Sequence, residues 1–315
     1  MKFKKILLID IDKSKLDENS WKRIDGLTDK KVHLPKDSSD IKKELSDMDC
    51  LLVNFGITVT RGNIDSAPNL KYIGTLSIAY GKVDVAYAKT KNIIVSNLAG
   101  YSTESVAEFV IAAILETIRG LEEGKVRGRG GNYSEAGISA FEIKDKIFAI
   151  IGLGSIGTRV AEIAKGFGAD VRYWSKNRKK DAEKRGIKYE SLDTLIQKAD
   201  FLSINLAQNK DTEGIFNKAR FKIVKSGTVI INTAPMELVD IDGLVDRLEK
   251  DDITFILDHA DEMTEGDLKK LSKFKNCIIY PPVAYITKEA AANKKRIFIE
   301  NIQGFLKGKP QNVVN

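Results

Sequence analysis

The stretch Lys146-Ile147-Phe148-Ala149-Ile150-Ile151-Gly152-Leu153-Gly154-Ser155-Ile156-Gly157 decides how the rest of the chain is read. An apolar run, Ile147 to Ile151, leads directly into Gly-x-Gly-x-x-Gly. From Thr158 to Phe167, the residues Val160, Ile163, Ala164 and Phe167 share one helical face, and Gly168 stops the pattern. The order is strand, tight turn, helix. In that context Gly152 permits the turn, Gly154 lets backbone approach a pyrophosphate, and Gly157 lets helix and strand pack closely. Ser155 and Ile156 complete the turn, where the helix N-terminus offers unpaired N–H groups to phosphates. The alternative is a glycine-rich turn that only packs.

Working outward, the second strand is Ala169 to Ser175. A ribose-binding acid is expected about 20 residues after the motif begins. Counting selects Asp170, but the ribose is met at the C-terminal end of the strand, and Ser175 holds that end. Lys176, Asn177, Arg178, Lys179 and Lys180 follow. A hydroxyl with Lys176 and Arg178 favours a 2′-phosphate, so NADP(H) is expected over NAD(H). The alternative is an ordinary solvated basic loop.

The remaining middle repeats strand and helix. Phe201–Leu206, Thr228–Ile231, Ile253–Leu257 and Cys277–Tyr280 read as strands, with helical pieces at Thr194–Lys198, Lys218–Val224 and around Leu244–Leu248. The first hundred residues read as a smaller α/β unit with strands at Ile6–Ile9, Cys50–Val53, Tyr72–Thr75 and Ile93–Ser96. Such alternation predicts mostly parallel sheets covered on both faces. Tyr101 to Gly120 is a long helical pattern, either a connector that is also a dimer contact or a plain core helix. Lys125 to Asn132, basic and glycine-rich, reads as a flexible surface loop. Thr287 starts a long final helix ending near Gly308 and Pro310.

Composition excludes several classes. Over 315 residues, 43% are apolar and 30% charged, which describes an ordinary globular chain of about two domains. No apolar run approaches the ~20 residues needed to span a bilayer. The net charge of +7 is spread among interspersed acids, unlike a nucleic-acid footprint. Met1 to Asp10 enters a strand-like run at once, without a signal-peptide layout. Cys50 and Cys277 sit in apolar runs and read as reduced, buried thiols of a cytoplasmic protein. No metal-ligand spacing stands out.

Four stretches together resemble the D-isomer-specific 2-hydroxyacid dehydrogenases: Asn69–Gly74, Gly100–Glu108, the glycine-rich turn, and Ile231-Asn232-Thr233-Ala234 with Leu238-Val239-Asp240. The resemblance covers nearly the whole chain. It implies a Rossmann-type doubly wound parallel sheet plus a second, flavodoxin-like α/β substrate domain. The substrate domain would be discontinuous, residues 1–97 and 286–315, around a dinucleotide-binding domain of residues 98–285. It also implies a homodimer, a small-molecule substrate and an NAD(P)-dependent oxidoreductase activity. Thr103, Thr233, Ala234 and Asp258 match family positions near the nicotinamide.

The same resemblance exposes a departure. The family transfers hydride with an Arg that holds the substrate carboxylate, a His that passes the proton, and a Glu that tunes the His. Here the Arg position is Pro235, the Glu position is Met263 with Glu262 one residue early, and the His position is Pro282. Proline is neither a cation nor a proton donor. Of the two histidines, His33 reads as structural, while His259 lies at a strand end beside Asp258, Asp261 and Glu262. His259 and Glu262 are the candidate replacements, with Tyr101, Tyr280 and Tyr285 as weaker proton donors. The expected function is an NAD(P)-dependent oxidoreductase with an altered site and a non-standard substrate. The alternative is an inactive dinucleotide-binding homologue acting as a sensor or assembly partner.

Overall fold

The computed structural model describes residues 1–315 apart from the side chain of Glu262. The chain divides into two compact units, residues 1–102 with 287–315, and residues 103–286. Both contain a sheet in which every paired strand runs parallel.

In the first unit the strands are β1 (Phe3–Ile9), β2 (Thr28–Leu34), β3 (Cys50–Val53), β4 (Tyr72–Thr75) and β5 (Ile94–Ser96), in the order β2-β1-β3-β4-β5. Period-two alternation sends Leu7, Ile9, Leu51 and Val53 into one buried cluster. Phe3, Ile6, Leu8 and Leu52 enter another, with Phe298, Ile299 and Ile302 of the helix Lys288–Leu306. Thr287 caps that helix by accepting from the Ala290 N–H at 3.0 Å. Beyond it, Val313 bridges to Ser96, which joins the C-terminal segment to this sheet.

Strand β2, Thr-Asp-Lys-Lys-Val-His-Leu, shows too little apolar alternation to be read from sequence. It is an edge strand, where charged side chains are tolerated and discourage pairing with another chain. His33 lies on it, Nδ1 3.1 Å from the Ile11 carbonyl oxygen and the ring 4.9 Å from that of Trp21.

The second unit holds β6 (Ile147–Ile151), β7 (Asp170–Trp174), β8 (Lys188–Tyr189), β9 (Phe201–Ile204), β10 (Val229–Asn232), β11 (Thr254–Leu257) and β12 (Cys277–Ile279). Their order is β12-β11-β10-β9-β6-β7-β8, so the winding reverses between β6 and β9. Helices cover both faces over two apolar clusters. This is the doubly wound arrangement, whose ligands sit outside the strand C-termini at the reversal.

One expectation is corrected. Lys125 to Asn132 is no simple loop, because residues Leu121–Arg129 form a helix. Glu122 and Glu123 sit in its first turn and Arg127 and Arg129 in its last, which suits the helix dipole. Ion pairs Glu122–Lys125 and Glu123–Arg127 join adjacent turns. These offset Gly124 and Gly128, each worth about 1 kcal/mol against helix. Cys50 and Cys277 are free and buried. Among the described residues, no helix is long and apolar enough to cross a membrane.

Candidate active site

The glycine-rich turn stands at the C-terminal end of β6. The Gly152 N–H donates to the Trp174 carbonyl at 2.8 Å, tying the turn to the end of β7. Gly152 has φ +96°, and a Cβ there would fall 2.7 Å from the Asn205 carbonyl oxygen at the end of β9. Gly157 is tighter, its imaginary Cβ 2.1 Å from the Gly152 oxygen. Gly154 differs, since a Cβ on it would meet nothing within 4 Å. The helix Ser155–Gly166 starts immediately after it without a side-chain cap. Its first N–H groups, from Ser155, Ile156 and Gly157, have no carbonyl partner within the helix and lie at the positive end of its dipole.

At the end of β7, Ser175 is buried and its hydroxyl donates to the Asn177 carbonyl at 2.7 Å. Lys176 pairs with Asp211 at 2.5 Å, and Arg178 pairs with Glu183 and lies 4.9 Å from the Tyr189 ring centroid. Sequence reasoning found the cations and missed both acids, which lie five and thirty-five residues downstream. Asp170 sits at the opposite end of the strand, paired with Arg172 and Lys188.

The end of β10 is a tight turn held by Asn232. Its side chain donates to the Ala234 carbonyl at 2.9 Å and accepts from the Ala234 N–H at 3.1 Å. This fixes Thr233, Ala234 and the half-buried Pro235. An Asn two residues before Ala-Pro was the readable signal for such a side-chain turn.

Asp258 follows β11 and is 1% exposed. Its Oδ2 accepts from the Ala284 N–H at 3.1 Å. Its Oδ1 has no hydrogen-bond partner, with His259 Nε2 at 3.8 Å, beyond hydrogen-bond range. Burial raises this carboxyl above the usual carboxylate range, opposed by the His259 charge and the Ala284 N–H. Asn205 Oδ1, at the end of β9, is also buried without a partner. His259 is partly exposed beside Asp258, while the Glu262 side chain lies outside the described residues. Met263 packs against the apolar core, and Pro282 is half-buried beyond β12.

Thr103 opens the helix Thr103–Ile118. From that helix the Ser105 hydroxyl donates to the Ala284 carbonyl at 2.6 Å. The Tyr280 hydroxyl donates to Glu116, and Tyr285 is exposed. Among the described residues, no group of three or more His, Cys, Asp or Glu is placed to hold a metal ion.

A dinucleotide fits this set. Gly154 leaves room for close approach beside a helix N-terminus whose first N–H groups suit a pyrophosphate. Asp258 Oδ1 is a buried acceptor without a hydrogen-bond partner among the described residues, which an N–H of a bound cofactor would satisfy.

Comparison with known proteins agrees. The profile of the D-isomer specific 2-hydroxyacid dehydrogenase NAD binding domain matches residues 111–284. A glyoxylate reductase of Aeropyrum pernix is 32% identical over 80% of this chain and 78% of its own. Among solved structures, an acyclic imino acid reductase in complex with NADPH and D-Arg is 30% identical, covering 99% of this chain and 100% of that one, with a TM-score of 0.86. A D-lactate dehydrogenase from Aquifex aeolicus, complexed with NAD and lactic acid, is 25% identical over 96% of both chains, with a TM-score of 0.82. The chain belongs to the D-isomer specific 2-hydroxyacid dehydrogenase family, oxidoreductases that exchange hydride between a nicotinamide dinucleotide and a hydroxyl or carbonyl carbon.

Proposed function

We propose that this chain is an NADPH-dependent reductase whose substrate is an acyclic C=N compound carrying a carboxylate, in place of an ordinary 2-oxo acid. The observation that carries the reading is proline at 235 and at 282, where the family's arginine and histidine are expected. Reducing a carbonyl leaves charge on oxygen, and a positioned proton donor there contributes roughly 10²–10⁴ in rate. An imine nitrogen is basic enough to arrive already protonated, so its reduction needs no such donor. The similarity to a structure of an imino acid reductase supports this chemistry. The relatives compared are enzymes, which favours catalysis over a purely sensing role.

A bound nicotinamide supplies the hydride. Gly152, Gly154, Ser155, Ile156 and Gly157 hold the pyrophosphate, while Asp258 takes the carboxamide and Thr103, Thr233 and Ala234 flank the nicotinamide. Ser175, Lys176 and Arg178 receive the 2′-phosphate. The pairs with Asp211 and Glu183 are at the surface, where such pairs are worth about 0–1 kcal/mol, so a phosphate can displace them. His259 and Glu262 are the remaining candidates for proton traffic at the end of β11.

In this reading residues 98–285 bind cofactor, residues 1–97 with 286–315 bind substrate, and the protein is a cytoplasmic homodimer without nucleic-acid partners. Support for the dimer comes from the helix Leu121–Arg129, which buries no residue and exposes Leu121 and Val126. A helix this short is marginal in water without packing.

The test is product identity. Pyruvate, ammonia and NADPH deuterated at the transferable position should give alanine carrying deuterium at Cα, read by mass spectrometry. Deuterated lactate as the main product would overturn the reading.

A further inference from the structure

The two cations read as the 2′-phosphate seat are each met by a carboxylate of the chain, and the two acids arrive by different routes. Glu183 comes from the neighbouring helix Lys180–Lys184. Arg178 donates to it through Nε at 3.1 Å and Nη2 at 2.5 Å, while its guanidinium lies 4.9 Å from the Tyr189 ring centroid. The same carboxylate accepts from the Tyr173 hydroxyl at 2.9 Å, and that hydroxyl accepts from the Lys179 N–H at 2.6 Å. Tyr173 is fully buried on β7, so Glu183 is anchored to the sheet.

Asp211 comes from the far side of the glycine-rich turn. Strands β7 and β9 lie on opposite sides of β6. Neighbouring strands are about 4.8 Å apart, so the ends of β7 and β9 are about 10 Å apart. The pair of Lys176 with Asp211 at 2.5 Å therefore reaches across the end of β6. A built turn presents this acid. Asn209 Oδ1 accepts from the Asp211 N–H at 2.9 Å, the Asn209 N–H donates to Thr212 Oγ1 at 2.9 Å, and the Thr212 hydroxyl donates to the Ala207 carbonyl at 2.8 Å.

Two cations and two anions thus stand at the ribose end of the site, and their formal charges cancel. A 2′-phosphate has to draw Lys176 and Arg178 away from these acids, and it then stands beside two like charges. A free 2′-hydroxyl meets neither cost, and a carboxylate is a good acceptor for it. Counting the lysine and the arginine alone therefore overstates the preference for NADPH.

We propose that Asp211 and Glu183 are specificity-determining residues, which hold down the affinity for a 2′-phosphate and keep the site open to NADH. The proposal rests on the reading in which Lys176 and Arg178 receive that phosphate.

The test is a fluorescence titration of the full chain with NADPH and with NADH. Asp211→Asn and Glu183→Gln keep shape and remove charge. Each should tighten NADPH roughly two- to fivefold, the worth of one exposed ion pair, and the two together roughly tenfold. NADH should not tighten. Most of the gain from Asp211→Asn should vanish in a Lys176→Ala background, a coupling that a merely structural role would not produce. If Glu183→Gln fails to fold, because its acid also takes Tyr173, Asp211→Asn decides alone, since Asp211 is exposed on its turn. NADPH unchanged or weakened in the acid variants, or both cofactors tightened alike, would overturn the proposal. If Lys176→Ala with Arg178→Ala still weakens NADPH in that case, the phosphate reading survives the proposal. If removing both cations leaves NADPH unaffected, the phosphate reading falls and takes the proposal with it.

Discussion

A Cβ on Gly157 would stand 2.1 Å from the Gly152 carbonyl oxygen, so the first helical turn and the glycine-rich turn are packed to backbone contact. Gly157→Ala must push backbone aside, and overpacking of this kind costs about 1–3 kcal/mol. A melting temperature lowered by several degrees is expected, with loss of NADPH binding. Gly154→Ala is the contrast, because a methyl there meets no protein atom within 4 Å. It should melt close to wild type and still lose NADPH affinity. Equal effects on both properties in both variants would contradict the assignment of Gly157 to packing and Gly154 to phosphate approach.

The buried Asp258 makes stability depend on pH with a definite sign. Its folded-state pKa is raised, mainly by desolvation. Below the unfolded-state value both states are protonated and the group contributes nothing. As pH rises past that value the unfolded chain ionises first, so the folded state loses stability, and the cost is complete above the folded-state pKa. Asp258→Asn removes this cost while keeping an acceptor for Ala284. Its melting temperature relative to wild type should climb as pH rises through and above the ordinary carboxylate range, and NADPH should bind more weakly. A flat difference across that range would show that Asp258 is not a raised carboxyl.

Cofactor choice should follow the loop after Trp174. Removing both cations, Lys176→Ala with Arg178→Ala, should weaken NADPH by roughly tenfold or more, about 1.4 kcal/mol, and leave NADH nearly unchanged. Ser175→Asp places a carboxylate at the ribose end and should invert the preference. Fluorescence titration reads both, with Trp174 adjoining the site. Equal losses for the two cofactors would rule out a 2′-phosphate role.

The outer face of the helix Leu121–Arg129 should carry the subunit contact. Val126→Glu with Leu121→Glu places charge on two exposed apolar positions and should convert a dimer to a monomer by light scattering. An unchanged mass would remove this helix from the interface.

His259 touches the reaction only if it moves a proton. His259→Asn should lower kcat severalfold and flatten its pH profile if it does. An unaltered profile would assign it to structure.

Much of the fold was legible because β1, β3, β4, β6 and β9 are short apolar runs buried on both faces, and sequence shows burial directly. The turn was legible because Gly152 and Gly157 leave no room for any other residue. Strand β2 was not, because an edge strand keeps its lysines in water. The helix Leu121–Arg129 was not, because its glycines masked the ion pairs that hold it. In the site, Gly154 came from the glycine motif and Ser175 from counting to the end of its strand, whereas Thr233 and Asp258 came only from the family resemblance. The Asp258–Ala284 bond spans 26 residues and the Lys294–Tyr101 contact joins positions far apart in the sequence, so no local pattern announces either.

The most direct measurement is the steady-state rate of NADPH consumption with pyruvate or glyoxylate, first alone and then with ammonia or a primary amine at saturation. A rate that is negligible with the oxo acid alone and rises at least tenfold with amine is expected for a C=N reductase lacking a carbonyl proton donor. A full rate with the oxo acid alone, indifferent to amine, would contradict the account and show that the chain has replaced its missing arginine and histidine for ordinary carbonyl reduction.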